Sequence, residues 1–106
     1  MRWPLFRVAV AEQSMRPALN PGDWLIVART RRVRAGQVVI ARNPRDSTML
    51  LVKRAARQLP DGSWWLESEN KDVAAVDSRQ FGPVRAADIA GRPLFRYRRG
   101  PRPQRG

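Results

Sequence analysis

The fold is decided by Met49-Leu50-Leu51-Val52-Lys53-Arg54-Ala55, which is followed by Pro60-Asp61-Gly62 and then by Trp64-Trp65-Leu66. Short apolar runs bounded by Pro, Asp and Gly are typical of strands that are joined by a tight turn. The stretch therefore predicts a β-hairpin with a short loop, in which Met49–Ala55 pairs with Trp64–Ser68.

The rest of the chain repeats this pattern, because short apolar runs alternate with turn residues and helical periodicity is weak. The other predicted strands are Leu5–Val10, Trp24–Ala28, Gln37–Ala41 and Pro93–Tyr97. One helical turn or short helix is predicted at Arg85–Ala90, where Gly91 would end it. With 106 residues the chain is predicted to form one mostly β domain over residues 1–97. Residues 98–106 are basic and lack apolar side chains, which predicts a disordered tail.

The chain contains no Cys and no His. This excludes a disulfide scaffold, thiolate metal sites, a Cys nucleophile and a Ser-His-Asp triad. No metal site and no cofactor are predicted. Arginine stays protonated near neutral pH and cannot act as a general base. Since Lys53 and Lys71 are the only lysines, a Ser–Lys dyad is almost the only remaining option for nucleophilic chemistry.

Lys53 lies inside an apolar strand pattern. Strand alternation places Leu51, Lys53 and Ala55 on one face, where the lysine would be partly desolvated. Desolvation disfavours the ammonium form. A lysine that acts as a general base near neutral pH needs this effect, because the reference pKa of its side chain, ~10.4, must fall by about 3 units. The alternative is a lysine on an edge strand whose ammonium reaches water.

Ser14 opens the turn Ser14-Met15-Arg16-Pro17, which follows a predicted strand. Pro17 forbids further strand pairing, so a serine here can present its hydroxyl to a substrate. An ordinary turn serine or a helix N-cap serine is the alternative reading.

A third segment begins at Asp77-Ser78-Arg79 and ends with Phe81-Gly82-Pro83-Val84. Asp77 and Arg79 can form an ion pair that holds this loop. Ser14-Met15-Arg16-Pro17, Val52-Lys53-Arg54 and this segment, taken in order, resemble the motifs of signal peptidase I-type serine proteases. The resemblance covers roughly Val8 to Pro93.

The resemblance implies a fold of coiled antiparallel β-sheets and an endopeptidase that removes an N-terminal leader from a protein substrate. It implies that Ser14 is the nucleophile, that Lys53 is its general base and that the Ser14 backbone N–H is an oxyanion donor. Met15 and Pro17 would shape the nucleophile turn, and Asp77 and Arg79 would be structural. Within the family, the chain is most similar to a small soluble branch, the nickel-type superoxide dismutase maturation proteases.

The chain departs from the family pattern at three places near the dyad. Glu12 stands two residues before the nucleophile, where the family has Ser or Gly, so the second oxyanion donor is not identified. Ala74 and Ala75 replace a serine that often hydrogen-bonds the lysine, so the group that orients Lys53 is missing or supplied elsewhere. Ser68 stands where the family prefers Gly.

The net charge of +12 leaves other functions open. A non-catalytic basic β-domain could bind nucleic acid or anionic lipid through Arg29–Arg34 and the tail, although no base-stacking motif is present and nucleic acid is not the favoured partner. A self-cleaving repressor would need a DNA-binding domain, which is not seen. A membrane-associated signal peptidase could use Trp3, Leu5 and Phe6 at the bilayer surface. Because no segment approaches ~20 apolar residues, a soluble, cytoplasmic protein is predicted. The oligomeric state is not predicted.

Overall fold

The computed structural model describes residues 4–11, 15–16, 18–70 and 76–99, and these form six antiparallel strands with very little helix. The strands are β1 (Leu5–Ala9), β2 (Trp24–Ala28), β3 (Val38–Asn43), β4 (Asp46–Gln58), β5 (Trp64–Glu67) and β6 (Ile89–Arg98). The helical elements are α1 (Ser78–Phe81) and a 3₁₀ turn, Ala86–Asp88. The mostly β fold class is therefore confirmed.

The strands form one sheet in the order β1-β2-β6-β3-β4-β5. Strand β3 is buried on both faces, because Val39 and Ala41 belong to one hydrophobic cluster and Ile40 belongs to another on the opposite face. Three strands separate β1 from β4 in the sheet, yet residues from both line one cleft. The sheet therefore curls until its β1 edge faces β4.

The predicted hairpin is present as β4 and β5. Ala55 pairs with Leu66 and Arg54 with Glu67, and the backbone N–H of Leu59 donates to the carbonyl of Ser63 at 2.8 Å across the turn. Strand β4 begins at Asp46, earlier than expected, because its first half pairs with β3 before its second half meets β5. This longer strand carries Lys53 at its centre.

The helical turn or short helix expected at Arg85–Ala90 is present as a single turn, but the expected stop at Gly91 is wrong. Only Ala86–Asp88 forms a 3₁₀ turn, and β6 begins directly at Ile89. Gly91 does not end a helix, since it lies within β6 opposite Ile40. A Cβ atom at Gly91 would lie 2.4 Å from the carbonyl oxygen of Ala28 and 2.6 Å from Cγ1 of Val27. The glycine is therefore required by the close approach of β6 to β2.

We expect Gly91→Ala to lower the free energy of unfolding by about 1–3 kcal/mol, since the added methyl group must push two backbones apart. Urea denaturation measures this change. Gly62→Ala is the matched control, because a Cβ there meets nothing within 4 Å and only the positive φ of 89° opposes it. The positive φ alone costs Gly62→Ala about 1–2 kcal/mol, so an unchanged free energy of unfolding for Gly91→Ala would contradict the steric explanation.

Strand β6 continues to Arg98, one residue into the segment expected to be a tail, and Arg98 pairs with Trp24. Trp24 also contacts Tyr97 with ring centroids 6.5 Å apart. Residues 100–106 lie outside the described residues. Within the part of the chain that the structure describes, no helix has the length and apolar character needed to cross a bilayer.

Candidate active site

Lys53 is buried at the centre of β4, with none of its surface exposed. Its neighbours on the same strand face, Leu51 and Ala55, are buried too, as strand alternation predicts. The Lys53 ammonium nitrogen, Nζ, donates a hydrogen bond to Oγ of Ser68 at 3.1 Å. Because burial disfavours the charged form of an amine, this position suits a lysine that must accept a proton.

Ser68 supplies a hydroxyl for Lys53 that the sequence interpretation did not assign. It follows the last residue of β5 and is 2% exposed. The hairpin register pairs Arg54 with Glu67, and extending it by one residue places Ser68 opposite Lys53. Directly opposed residues of antiparallel strands point their side chains to the same face. The hairpin register was therefore the feature of the sequence that could have identified Ser68 as the partner of Lys53. Ala74 and Ala75, the positions considered for this role, lie outside the described residues.

Asp77, which follows β5 in the chain, holds the backbone of Ser68 in place. Oδ2 of Asp77 accepts the backbone N–H of Ser68 at 2.9 Å, and Arg79 donates to the same carboxylate through Nη2 at 2.9 Å and Nε at 3.1 Å. Asp77 is also the N-cap of α1, where Gln80 completes a capping box. The Oγ atom of Ser78 also links α1 to β5, because it accepts a hydrogen bond from the backbone N–H of Leu66 at 2.8 Å.

Two opposing effects set the ionisation of Asp77. Burial raises the pKa of its carboxyl, but the hydrogen bonds from Arg79 and from the backbone N–H groups of Ser68 and Arg79 outweigh burial and hold the pKa at about 2. The carboxylate therefore stays ionised throughout the neutral range, and the loop remains anchored.

A cleft of about 460 Å³ is lined in part by the residues that directly precede Lys53 in β4. Its walls are residues 7–11, which include β1 and the chain after it, residues 48–52 of β4, and Met15. Met15 is 1% exposed, and its carbonyl accepts the N–H of Leu19 at 2.8 Å. Leu51 and Val52, directly before Lys53, thus share a cleft with Met15, which directly follows Ser14. Ser14, Pro17 and Glu12 themselves lie outside the described residues.

Both walls of the cleft carry strand edges. Among the described strands, β1 pairs only with β2, and the part of β4 before Arg54 pairs with β3 but not with β5. Backbone N–H and C=O groups on such edges can pair with an added extended peptide. The cleft therefore has the form of a binding site for a polypeptide strand.

We expect Ser68→Ala to lower kcat/KM for peptide cleavage by about 10- to 100-fold, since a hydrogen bond to a buried ionisable group is lost. The rate should fall mainly through kcat. Ser63→Ala is the matched control, because Ser63 is a buried serine that donates to Asp61 in the hairpin turn. Unchanged cleavage by Ser68→Ala would show that Lys53 does not depend on this hydroxyl.

Comparisons with known proteins identify the family of this chain. A family model described as Peptidase S24-like matches residues 3–92. Two relatives from Arabidopsis thaliana are the mitochondrial ATP-independent inner membrane protease subunit 2, 34% identical over 88 residues, and subunit 1a, 30% identical over 109 residues. The matches cover 65% and 78% of this chain, and the chain spans 43% and 64% of the length of these relatives. Together these matches confirm the resemblance to signal peptidase I-like serine peptidases. Since the family model covers most of the chain, the protein belongs to the Peptidase S24-like family.

Proposed function

We propose that the protein is a serine endopeptidase in which Ser14 is the nucleophile and Lys53 is the general base. The observation that carries this proposal is the fully buried Lys53, which is hydrogen-bonded to Ser68 beside the cleft that contains Met15. A buried lysine with a hydroxyl partner is what a neutral, oriented amine requires. Ser14 directly precedes Met15 in the chain, and this adjacency supports its assignment as the nucleophile.

The reaction follows from these groups. The Lys53 amine takes the proton of the Ser14 hydroxyl while Oγ attacks the peptide carbonyl, and the Ser14 backbone N–H stabilises the oxyanion that forms. Lys53 then gives its proton to the leaving amine as the C–N bond breaks. Water, deprotonated by Lys53, hydrolyses the acyl-enzyme ester and regenerates the Ser14 hydroxyl. Ser68 orients the amine by accepting a hydrogen bond from one of its N–H groups. The nitrogen lone pair then points away from Ser68 and is available for the proton of Ser14.

The substrate is a protein with an N-terminal leader that binds the cleft as an extended strand. The precursor of nickel-type superoxide dismutase is our first choice of substrate, on the resemblance of the Phe81-Gly82-Pro83-Val84 ending to that branch. The related Arabidopsis proteins are named as inner membrane protease subunits, so leaders of membrane-associated proteins are the second choice. A cytoplasmic location stays a prediction, which cell fractionation would decide.

The test is cleavage of a leader-bearing precursor followed by mass spectrometry. Wild-type protein is expected to release one leader fragment and to form a covalent acyl adduct on the peptide containing Ser14 after rapid acid quenching. Ser14→Ala should give neither product. Cleavage that persists in Ser14→Ala would contradict the proposal, and cleavage of other leaders but not of the dismutase precursor would contradict only the choice of substrate.

A further inference from the structure

Four arginines converge on one pocket outside the catalytic arrangement. Arg29, Arg31 and Arg32 follow β2, and Arg42 lies near the end of β3; together with Pro4, Thr30, Ile89 and Ala90 they line a cavity of about 580 Å³. We call these four side chains and their cavity the arginine pocket. The guanidinium of Arg29 lies 4.6 Å from the centre of the Phe6 ring, a cation–π distance that helps to fix its position.

Three of the four arginines in this pocket have no carboxylate partner among the described residues. Arg31, Arg32 and Arg42 form no ion pair with any described carboxylate. The described carboxylates contact groups elsewhere in the fold, such as Arg96 for Asp23, Arg54 for Glu69 and Arg85 for Asp88. Three like charges lining one cavity repel each other, and an anionic ligand would relieve that repulsion.

The arginine pocket lies next to the cleft. Arg42 is the cross-strand partner of Leu50, and Leu50 lines the cleft. Leu50 is three residues from Lys53 along β4, a distance of about 10 Å at the rise of an extended strand. If a substrate peptide lies in the cleft with its cleaved bond beside Lys53, its residue about three positions from that bond would therefore lie beside Arg42. Because arginine side chains are long, residues up to about six positions from the bond could contact the pocket.

We infer that the arginine pocket binds an acidic segment of the polypeptide substrate, about three to six residues from the cleaved bond. The inference rests on the proposed protease function and adds a substrate class, polypeptides with Asp or Glu at that distance. Guanidinium groups pair with carboxylates through two parallel hydrogen bonds, which gives geometric selectivity as well as attraction.

Two features favour a peptide over other polyanions. The arginines line a cavity, whereas an amphipathic helix that binds a lipid surface carries its basic side chains beside an apolar face. The aromatic ring at this site, Phe6, is covered by Arg29, whereas single-stranded nucleic acid is bound by exposed rings on which bases stack. A peptide also continues naturally from the strand edges of the adjoining cleft.

The experiment measures binding without cleavage. A fluorescein-labelled peptide with a run of aspartates is titrated with the full chain carrying Ser14→Ala, and anisotropy gives the Kd; the matched peptide has asparagines. Arg31→Gln/Arg32→Gln is compared with Arg98→Gln/Arg99→Gln, which removes the same charge from two adjacent exposed arginines near the other end of β2. Vesicles containing phosphatidylglycerol and a short oligonucleotide are titrated in parallel.

We expect the aspartate peptide to bind about tenfold more weakly to Arg31→Gln/Arg32→Gln, and to change less than about twofold with Arg98→Gln/Arg99→Gln. The asparagine peptide should bind more weakly than the aspartate peptide to the parent chain. Equal loss in both double variants, or no loss in either, would overturn the inference. It would also be overturned if the first double variant lost vesicle or oligonucleotide binding but retained peptide binding. Since no arm needs catalysis, failure here is distinct from failure of the Ser14→Ala cleavage test.

Discussion

Replacing Lys53 with methionine is expected to lower kcat/KM for leader cleavage by about 10³-fold or more, the upper part of the range for removing a general base. Methionine is apolar and unbranched, so it fills the buried site between Leu51 and Ala55 without an amine. The loss should therefore reflect chemistry and not packing. Cleavage is followed by mass spectrometry under kcat/KM conditions.

Folding measurements distinguish a loss of catalytic chemistry from a loss of packing in Lys53→Met. Replacing a buried ionisable group with an apolar one of similar size is often neutral or stabilising, so we expect the free energy of unfolding of Lys53→Met to fall by no more than about 1 kcal/mol. Lys71→Met is the matched control, since it makes the same change at the only other lysine. Cleavage retained by Lys53→Met, or equal loss in Lys71→Met, would contradict the assignment of the base.

Combining Ser14→Ala with Lys53→Met should cost little more than either change alone, because residues that act as a unit are strongly non-additive. If the losses multiply, Ser14 and Lys53 contribute independently, and the dyad does not describe the mechanism.

Replacing Asp77 with alanine is expected to lower the free energy of unfolding by about 2–4 kcal/mol, since the hydrogen bonds of a buried carboxylate are lost although Arg79 itself is half exposed. The change would leave the backbone N–H of Ser68 without its acceptor and would release Arg79. Because Ser68 contacts Lys53, cleavage should fall as well. Urea denaturation at neutral pH measures the stability change.

The low pKa of Asp77 predicts how this stability depends on pH. Its folded pKa of about 2 lies below the ordinary value of 3.8, so its contribution is present above pH 4 and is lost as the pH falls toward 2. This shift corresponds to about 2 kcal/mol. The contribution should vanish from the acid-unfolding curve of Asp77→Asn, whereas Asp88→Asn, which removes a carboxylate paired with the exposed Arg85, should retain it. An unchanged curve for Asp77→Asn would contradict the role given to this carboxylate.

Much of the fold was accessible from local sequence. The hairpin of β4 and β5 was predicted because a tight turn separates two apolar runs, and β2 was predicted with its observed bounds, Trp24–Ala28. Gly91 was wrongly predicted to end a helix, because short-range propensity does not reveal its close packing against β2. Such packing depends on a strand more than 60 positions away in the chain.

The sequence by itself determined the chemistry that is available, because a chain without His or Cys and with two lysines offers few groups that can activate a serine. It also determined that Lys53 lies on an apolar strand face. The tertiary structure decided which hydroxyl contacts that lysine and which strands enclose the cleft. Ser68 is opposite Lys53 because of hairpin register, and β1 faces β4 because the sheet curls. Such contacts join residues that are distant in the chain, so they depend on strand order and register, which local sequence patterns do not specify.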